Sequence, residues 1–187
     1  WLLEHTLALC DYYAEGGGYR ASAVLQSSKA PGLADKDPVP LLAHLLFVDA
    51  HAWHHGAGDA RQAAASATLA LGVIDDLRPL CRADELLDTG TAESGFSALN
   101  ALYGGALAAV DRLCQLAGDK RGAARARQMR IGVKSGLQTV WNDGRGLYAD
   151  GAGAEERFSQ WTNGLMLYFD LVESGRRREL IRGLRGS

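Results

Sequence analysis

The chain has 187 residues, 47% of them hydrophobic and 22% charged, with a formal net charge of −2; this balance belongs to a packed globular chain and excludes disorder. Near-neutrality offers no field for nucleic acid or an anionic membrane, and no run of about 18 apolar residues is present to span a bilayer. Cys10, Cys81 and Cys114 are odd in number and widely spaced, which excludes a disulfide framework or a zinc site and leaves buried free thiols in a reducing compartment as the expectation. With no basic and apolar leader at Trp1, a cytoplasmic location is expected.

Residues 1–15 place Leu2, Leu3, Leu7, Leu9 and Tyr13 near one helical stripe, and Gly16-Gly17-Gly18 stops it. Residues 19–40 read as a long connection punctuated by Pro31-Gly32 and Pro38-Val39-Pro40. A strong helix follows over 41–55, burying Leu42, Leu45, Leu46, Val48 and Trp53. Gly58-Asp59 turns the chain, and Asp59 is placed to cap an alanine-rich helix from Ala60 to about Ile74. Residues 75–87 read as a short helix broken near Pro79, and residues 88–91 as a loop.

Residues 95–117 form the next long helix, with Phe96, Leu99, Leu102, Tyr103, Leu107, Val110 and Leu113 as its apolar face. Gly118-Asp119 ends it, and Asp119 caps a further helix expected to reach Trp141. Asn142-Asp143-Gly144 has turn chemistry, and Leu147-Tyr148-Ala149 reads as a short strand. Residues 160–171 return to helix, and Ser174-Gly175 leads into a last one. The arginines at 176, 177, 178, 182 and 185 are interleaved with Glu173 and Glu179, the pattern of a solvated helix face.

The segments 48–64 and 110–124 share one plan: an apolar helix, a tight Gly-Asp turn, then a helix rich in alanine and arginine. Their Gly-Asp turns, Gly58-Asp59 and Gly118-Asp119, lie 60 positions apart. Looser echoes at Asp11 and Asp170 extend the series, so the chain reads as an all-α ring or stack of antiparallel helix hairpins with one short β-hairpin. One helical-hairpin domain is expected over 1–187.

Four pieces in order carry a resemblance to a known family. They are Leu86-Leu87-Asp88; the helix from Leu99-Asn100-Ala101-Leu102-Tyr103 to Gly118-Asp119; Val140-Trp141-Asn142-Asp143-Gly144-Arg145-Gly146-Leu147-Tyr148-Ala149-Asp150-Gly151; and Phe158-Ser159-Gln160-Trp161-Thr162-Asn163-Gly164-Leu165, followed by Leu171-Val172. Residues 85–184 resemble the later part of the catalytic domain of bacterial α-L-rhamnosidases and related six-hairpin glycosidases. The resemblance implies an (α/α)6 toroid, here incomplete, with a carbohydrate cleft that hydrolyses terminal rhamnose with inversion. Inversion needs an acid to protonate the leaving oxygen and a base to activate water. The family places those carboxylates in segments outside the matched stretch, so the catalytic residues are unknown. Thr89 stands where the family has a cleft tryptophan, which departs from the sugar-stacking pattern.

The candidate sugar-binding residues are Asp88, Glu93, Gln160, Trp161 and Asn163. Carboxylates and amides hydrogen-bond hydroxyls, and an indole offers a flat apolar face. Each also has a plainer reading: Asp88 a turn aspartate, Glu93 a first-turn carboxylate, and Gln160, Trp161 and Asn163 a helix cap with a core tryptophan. His51 and His55 have the i, i+4 spacing of paired metal ligands, with His44, Asp49 and His54 nearby. No third ligand is fixed and the Glu of a His-Glu-x-x-His motif is missing, so structural histidines are expected and no metal. Asp75-Asp76 is read as a solvated helix end. No cofactor is expected, since no phosphate loop follows a strand and no nucleophile elbow is present. The partner expected is a carbohydrate, and uncovered apolar surface on an open ring predicts self-association. A helical-repeat scaffold, or another toroid enzyme such as an epimerase or lyase, remains an open alternative.

Overall fold

The computed structural model describes residues 38, 42–43, 45–46, 49–50, 60–88, 96–151 and 157–186. The expected helix at 1–15, its glycine stop, most of the 19–40 connection, the Asp59 cap, Glu93 and the four histidines between 44 and 55 lie outside the described residues.

The described residues between 42 and 50 are helical apart from Pro38 before them, and Leu42 and Leu45 are buried as their spacing predicts. Helix α1 spans Ala60–Leu77. It continues three residues past the expected end because Val73, Ile74 and Leu77 keep the helical stripe and are all buried. Pro79 then sits in the first turn of a 3-10 segment, Arg78–Leu80, where its missing N–H costs nothing. The expected short helix over 75–87 is therefore corrected to a reversal. Cys81 bridges Leu87 in antiparallel fashion, Arg82 N–H donates to Leu86 O at 2.8 Å, and Glu85 turns the chain with φ 66°. Cys81 stands on this bridge and not on a helix.

Helix α2 spans Phe96–Leu116 and is buried on nearly every side. It packs against α1, against α3 (Lys120–Gly136) and against α4 (Gln160–Tyr168). Gly104 and Gly105 allow this crowding, since a Cβ on Gly104 would come 2.8 Å from Leu171 and one on Gly105 would strike the Phe169 ring. The turn into α3 is built as expected. Gly118 takes φ 76°, and Asp119 accepts a hydrogen bond from Gly122 N–H at 2.9 Å.

The helix expected to reach Trp141 ends at Gly136 and tightens into a 3-10 turn, Leu137–Val140. Strand β1, Trp141–Asn142, then pairs antiparallel with β2, Leu147–Tyr148, in the register Trp141↔Tyr148. The Asn142 side chain closes the loop by accepting from Arg145 N–H at 2.9 Å. Helix α4 stops at Tyr168, short of the expected Leu171, because Asp170 adopts φ 52° and Leu171 N–H returns to Met166 O at 2.9 Å. Helix α5 spans Arg177–Gly186, with Leu180 buried.

Among the described residues the chain is thus all-α, with one short antiparallel β-hairpin. Among the described residues no helix is long and apolar enough to cross a membrane.

Candidate functional site

Two asparagines and one aspartate build the end of the molecule where α2 and α4 begin. Asn100, in the second turn of α2, clamps Leu87. It accepts from Leu87 N–H at 2.7 Å, donates to Leu87 O at 3.0 Å, and spends its other amide hydrogen on Phe96 O at 2.9 Å. Asn163 does the same for α4: it accepts from Tyr148 N–H at 2.8 Å and donates to Tyr148 O and Ser159 O, both at 3.0 Å. Each therefore pins an incoming extended residue beside its helix.

Asp150 ties the two helix starts together. Its carbonyl accepts from Ser97 N–H at 3.0 Å, the second residue of α2. One carboxylate oxygen accepts from Ser159 Oγ at 2.6 Å, Thr162 Oγ1 at 2.5 Å and Ser159 N–H at 3.2 Å. Ser159 in turn caps α4 by accepting from Thr162 N–H at 3.1 Å. The shared tether makes α2 and α4 parallel, with both amide-rich N-termini at one rim, while α3 returns antiparallel to α2 in the outer layer. A carboxylate at this rim also sits favourably against two helix dipoles.

Of the sequence candidates, Asp88, Gln160 and Trp161 are exposed at this rim, Asp88 just after clamped Leu87 and Gln160 at the first position of α4. Trp161 is 64% exposed. Asp88 N–H donates to Leu80 O at 2.9 Å, which fixes its backbone to the preceding turn. Asn163 lies at the same end but is fully buried, and its amide is saturated by backbone groups. It shapes the rim without reaching its surface. Glu93 lies outside the described residues. Asp150 belongs to the third resembling piece but is not among the sugar candidates; its signal is an aspartate followed nine residues later by a Ser-x-x-Thr cap.

Ion pairs hold the helices together away from the starts of α2 and α4. Arg112 on α2 embraces the nearly buried Asp49 carboxylate, donating from Nε at 3.0 Å, and that pairing raises the guanidinium's pKa. Arg127 holds Asp111 at 2.9 Å and Arg177 holds Asp170 at 3.1 Å. Lys134 and Arg130 donate to the last carbonyls of the α4 end, at 3.1 Å to Asp170 O and 2.7 Å to Phe169 O, the usual place for cations on a helix dipole. A shallow hollow of about 510 Å³ opens here between Lys134, Glu173, Ser174 and Arg177. None of the sugar candidates lines it.

The two described thiols, Cys81 and Cys114, are poor nucleophiles. Burial pushes Cys114 up to about 11 and raises Cys81 as well, so both stay protonated at neutral pH. Among the described residues no three His, Cys, Asp or Glu side chains gather as metal ligands.

Two helices, α2 and α4, start at one rim, and α3 returns along α2 as a hairpin, an arrangement that fits part of an (α/α) toroid. No protein-family model and no curated protein sequence matches the chain. Among solved structures it is similar to a rhamnosidase from Klebsiella oxytoca with rhamnose bound, with a TM-score of 0.61 and 17% identity over 78% of this chain. The chain spans 30% of the length of that enzyme. At this identity the likeness shows a shared fold.

Proposed function

We propose that the chain is a piece of a carbohydrate-active toroid, of the glycoside hydrolase type, whose sugar-facing end is the rim tied together by Asp150. The observation that carries this reading is the fold shared with part of a rhamnose-bound rhamnosidase. The chemistry of the rim agrees with it. Asp88 and Gln160 present a carboxylate and an amide able to bond vicinal hydroxyls, and the Trp161 indole offers an apolar face. Asn163 acts by positioning, and Glu93 is a further sugar-binding candidate on its sequence alone. The preferred substrate class is terminal α-L-rhamnosides or similar sugars, hydrolysed with inversion by an acid and a base that we assign to no residue of this chain.

The test is a titration of the full chain with L-rhamnose followed by tryptophan fluorescence. We expect a saturable response in the millimolar range, weakened about tenfold by Gln160→Ala, as one lost hydrogen bond of about 1.4 kcal/mol requires. A flat trace up to tens of millimolar would sink the carbohydrate reading and favour the scaffold alternative.

A further inference from the structure

Helices α2 and α4 are both entered past an arginine laid on a phenylalanine. Arg82, in the reversal before α2, lies over the Phe96 ring at 5.7 Å, and Arg145, in the turn between β1 and β2, lies over the Phe158 ring at 5.0 Å. Phe96 is the first residue of α2, and Phe158 directly precedes Ser159, which caps α4. The two cations differ in what neutralises them. Arg82 pairs with Asp84 at 3.2 Å, whereas Arg145 has no carboxylate partner among the described residues. The aspartates on either side of it in sequence are engaged elsewhere: Asp143 accepts from Trp141 Nε1 at 2.7 Å, and Asp150 takes the Ser159 and Thr162 hydroxyls. Glu179 packs its stem against Gly146 and makes no ion pair with Arg145.

The turn also holds Arg145 in place. Its N–H donates to Asn142 Oδ1 at 2.9 Å, and its carbonyl lies against α5, where a Cβ on Gly183 would stand 3.0 Å from it. With the backbone fixed and the guanidinium laid on a ring, the side chain has less rotamer freedom to lose when it meets an anion.

We propose that Arg145 is a specificity-determining residue of the rim, reading the carboxylate of a uronic acid in the saccharide bound there. This role rests on the carbohydrate reading of the rim and narrows its substrate class to saccharides that contain a uronate. Gln160, two residues past Phe158, bonds neutral hydroxyls, while the planar guanidinium of Arg145 takes both oxygens of a carboxylate in a fork. The N-terminus of α4, beside Phe158, adds a field of the same sign. Arg82 cannot serve α2 in this way, because Asp84 already occupies it.

Tryptophan fluorescence of the full chain tests the assignment, with D-glucuronate and D-galacturonate titrated against their neutral counterparts, D-glucose and D-galactose, and L-rhamnose alongside. We expect at least one uronate to bind about fivefold more tightly than its neutral sugar at low ionic strength, the strength of one exposed ion pair, and the preference to shrink in high salt. Arg145→Gln should bring each pair to equal affinity, Arg145→Lys should keep part of the preference, and Arg82→Gln should leave it unchanged. Circular dichroism of each variant checks the fold. No preference for either uronate, or a preference that survives Arg145→Gln, overturns the assignment. An equal response to sodium acetate shows an anion site indifferent to sugar and overturns it too. A response to L-rhamnose without a uronate preference leaves the carbohydrate reading standing and removes only the role of Arg145, whereas silence with every sugar sinks both. A uronate preference lost in Arg145→Gln, with no response to L-rhamnose, supports Arg145 and counts only against rhamnose as the sugar.

Discussion

Asn100 and Asn163 perform one act twice: each reads both the N–H and the C=O of a single residue in the preceding extended segment and bonds the carbonyl four residues back in its own helix. The segments they hold, at Leu87 and Tyr148, each follow a 3-10 turn at the end of an outer helix. The repeat seen in the Gly-Asp turns is therefore also a repeat of hydrogen bonding at the opposite end, where the rim is made.

Removing a clamp leaves a buried backbone N–H and C=O without partners. Each such group costs about 1–3 kcal/mol, so Asn163→Ala should destabilise the chain by about 2–4 kcal/mol, and Asn100→Ala by a similar amount. For a chain of this size that corresponds to a fall in Tm of roughly 5–15 °C. Asn163→Asp keeps the acceptor but loses both donors and sets a carboxylate against two carbonyls, so it should be no milder. Urea unfolding measures all three. A loss below about 0.5 kcal/mol for Asn163→Ala would show that water replaces the amide.

Asp150 predicts a local effect. With Asp150→Ala, the Ser159 and Thr162 hydroxyls lose their common acceptor while keeping each other at 3.0 Å, so a cost of about 1–3 kcal/mol is expected. Asp150→Asn retains an acceptor and should cost about half as much. The start of α4 should fray first, seen as faster hydrogen exchange at the Thr162 and Asn163 amides with exchange in α3 unchanged. Uniform acceleration through every helix would argue that Asp150 supports the whole fold and not the rim.

Periodicity made the helices legible because the fold buries one stripe of each: Leu99, Tyr103, Leu107 and Val110 announce α2, and Gly118-Asp119 announces its turn. Helix ends set by tertiary packing were illegible. Leu137, Val140 and Trp141 continue an apolar helical pattern past Gly136, yet a Cβ there would lie 2.8 Å from Asp84 O, so the close approach of another segment ends α3. The reversal after α4 carries no glycine, since Asp170 itself takes the left-handed conformation. In the site, Gln160 and Trp161 could be placed from the cap that precedes them. Asn100 could not, because a mid-helix amide bonded to backbone leaves no partner residue type to search for, and Asp150 works half through its carbonyl, which any residue supplies.

The buried thiol of Cys114 predicts how stability depends on pH. Its folded pKa of about 11 stands above the ordinary 9.0, so between these values the unfolded state has released a proton that the folded state still binds. Stability from this group is full below pH 9 and is lost as pH rises toward 11, by at most about 3 kcal/mol. Tyr103 and Tyr148, also raised by burial, add the same sign above pH 10. Urea midpoints at pH 8 and 10.5 check this, and Cys114→Ala should flatten the slope. Rising stability over that interval would contradict the burial of these groups.

Two glycines of the central helices should answer alanine in opposite ways. Gly105 faces the Phe169 ring so closely that a Cβ requires the ring or the 169–171 segment to move, and overpacking of this kind costs about 1–3 kcal/mol. Because Asp170 O and Phe169 O anchor Lys134 and Arg130 in the same segment, the ring has little freedom to yield, and the upper half of that range is expected. Gly164 meets nothing within 4 Å, and its replacement removes only the entropic penalty of glycine in a helix, a gain of about 0.5–1 kcal/mol. Paired thermal melts of Gly105→Ala and Gly164→Ala compare the two. Should both destabilise alike, Gly164 would be covered by some part of the chain, and that face of α4 would not be open to solvent.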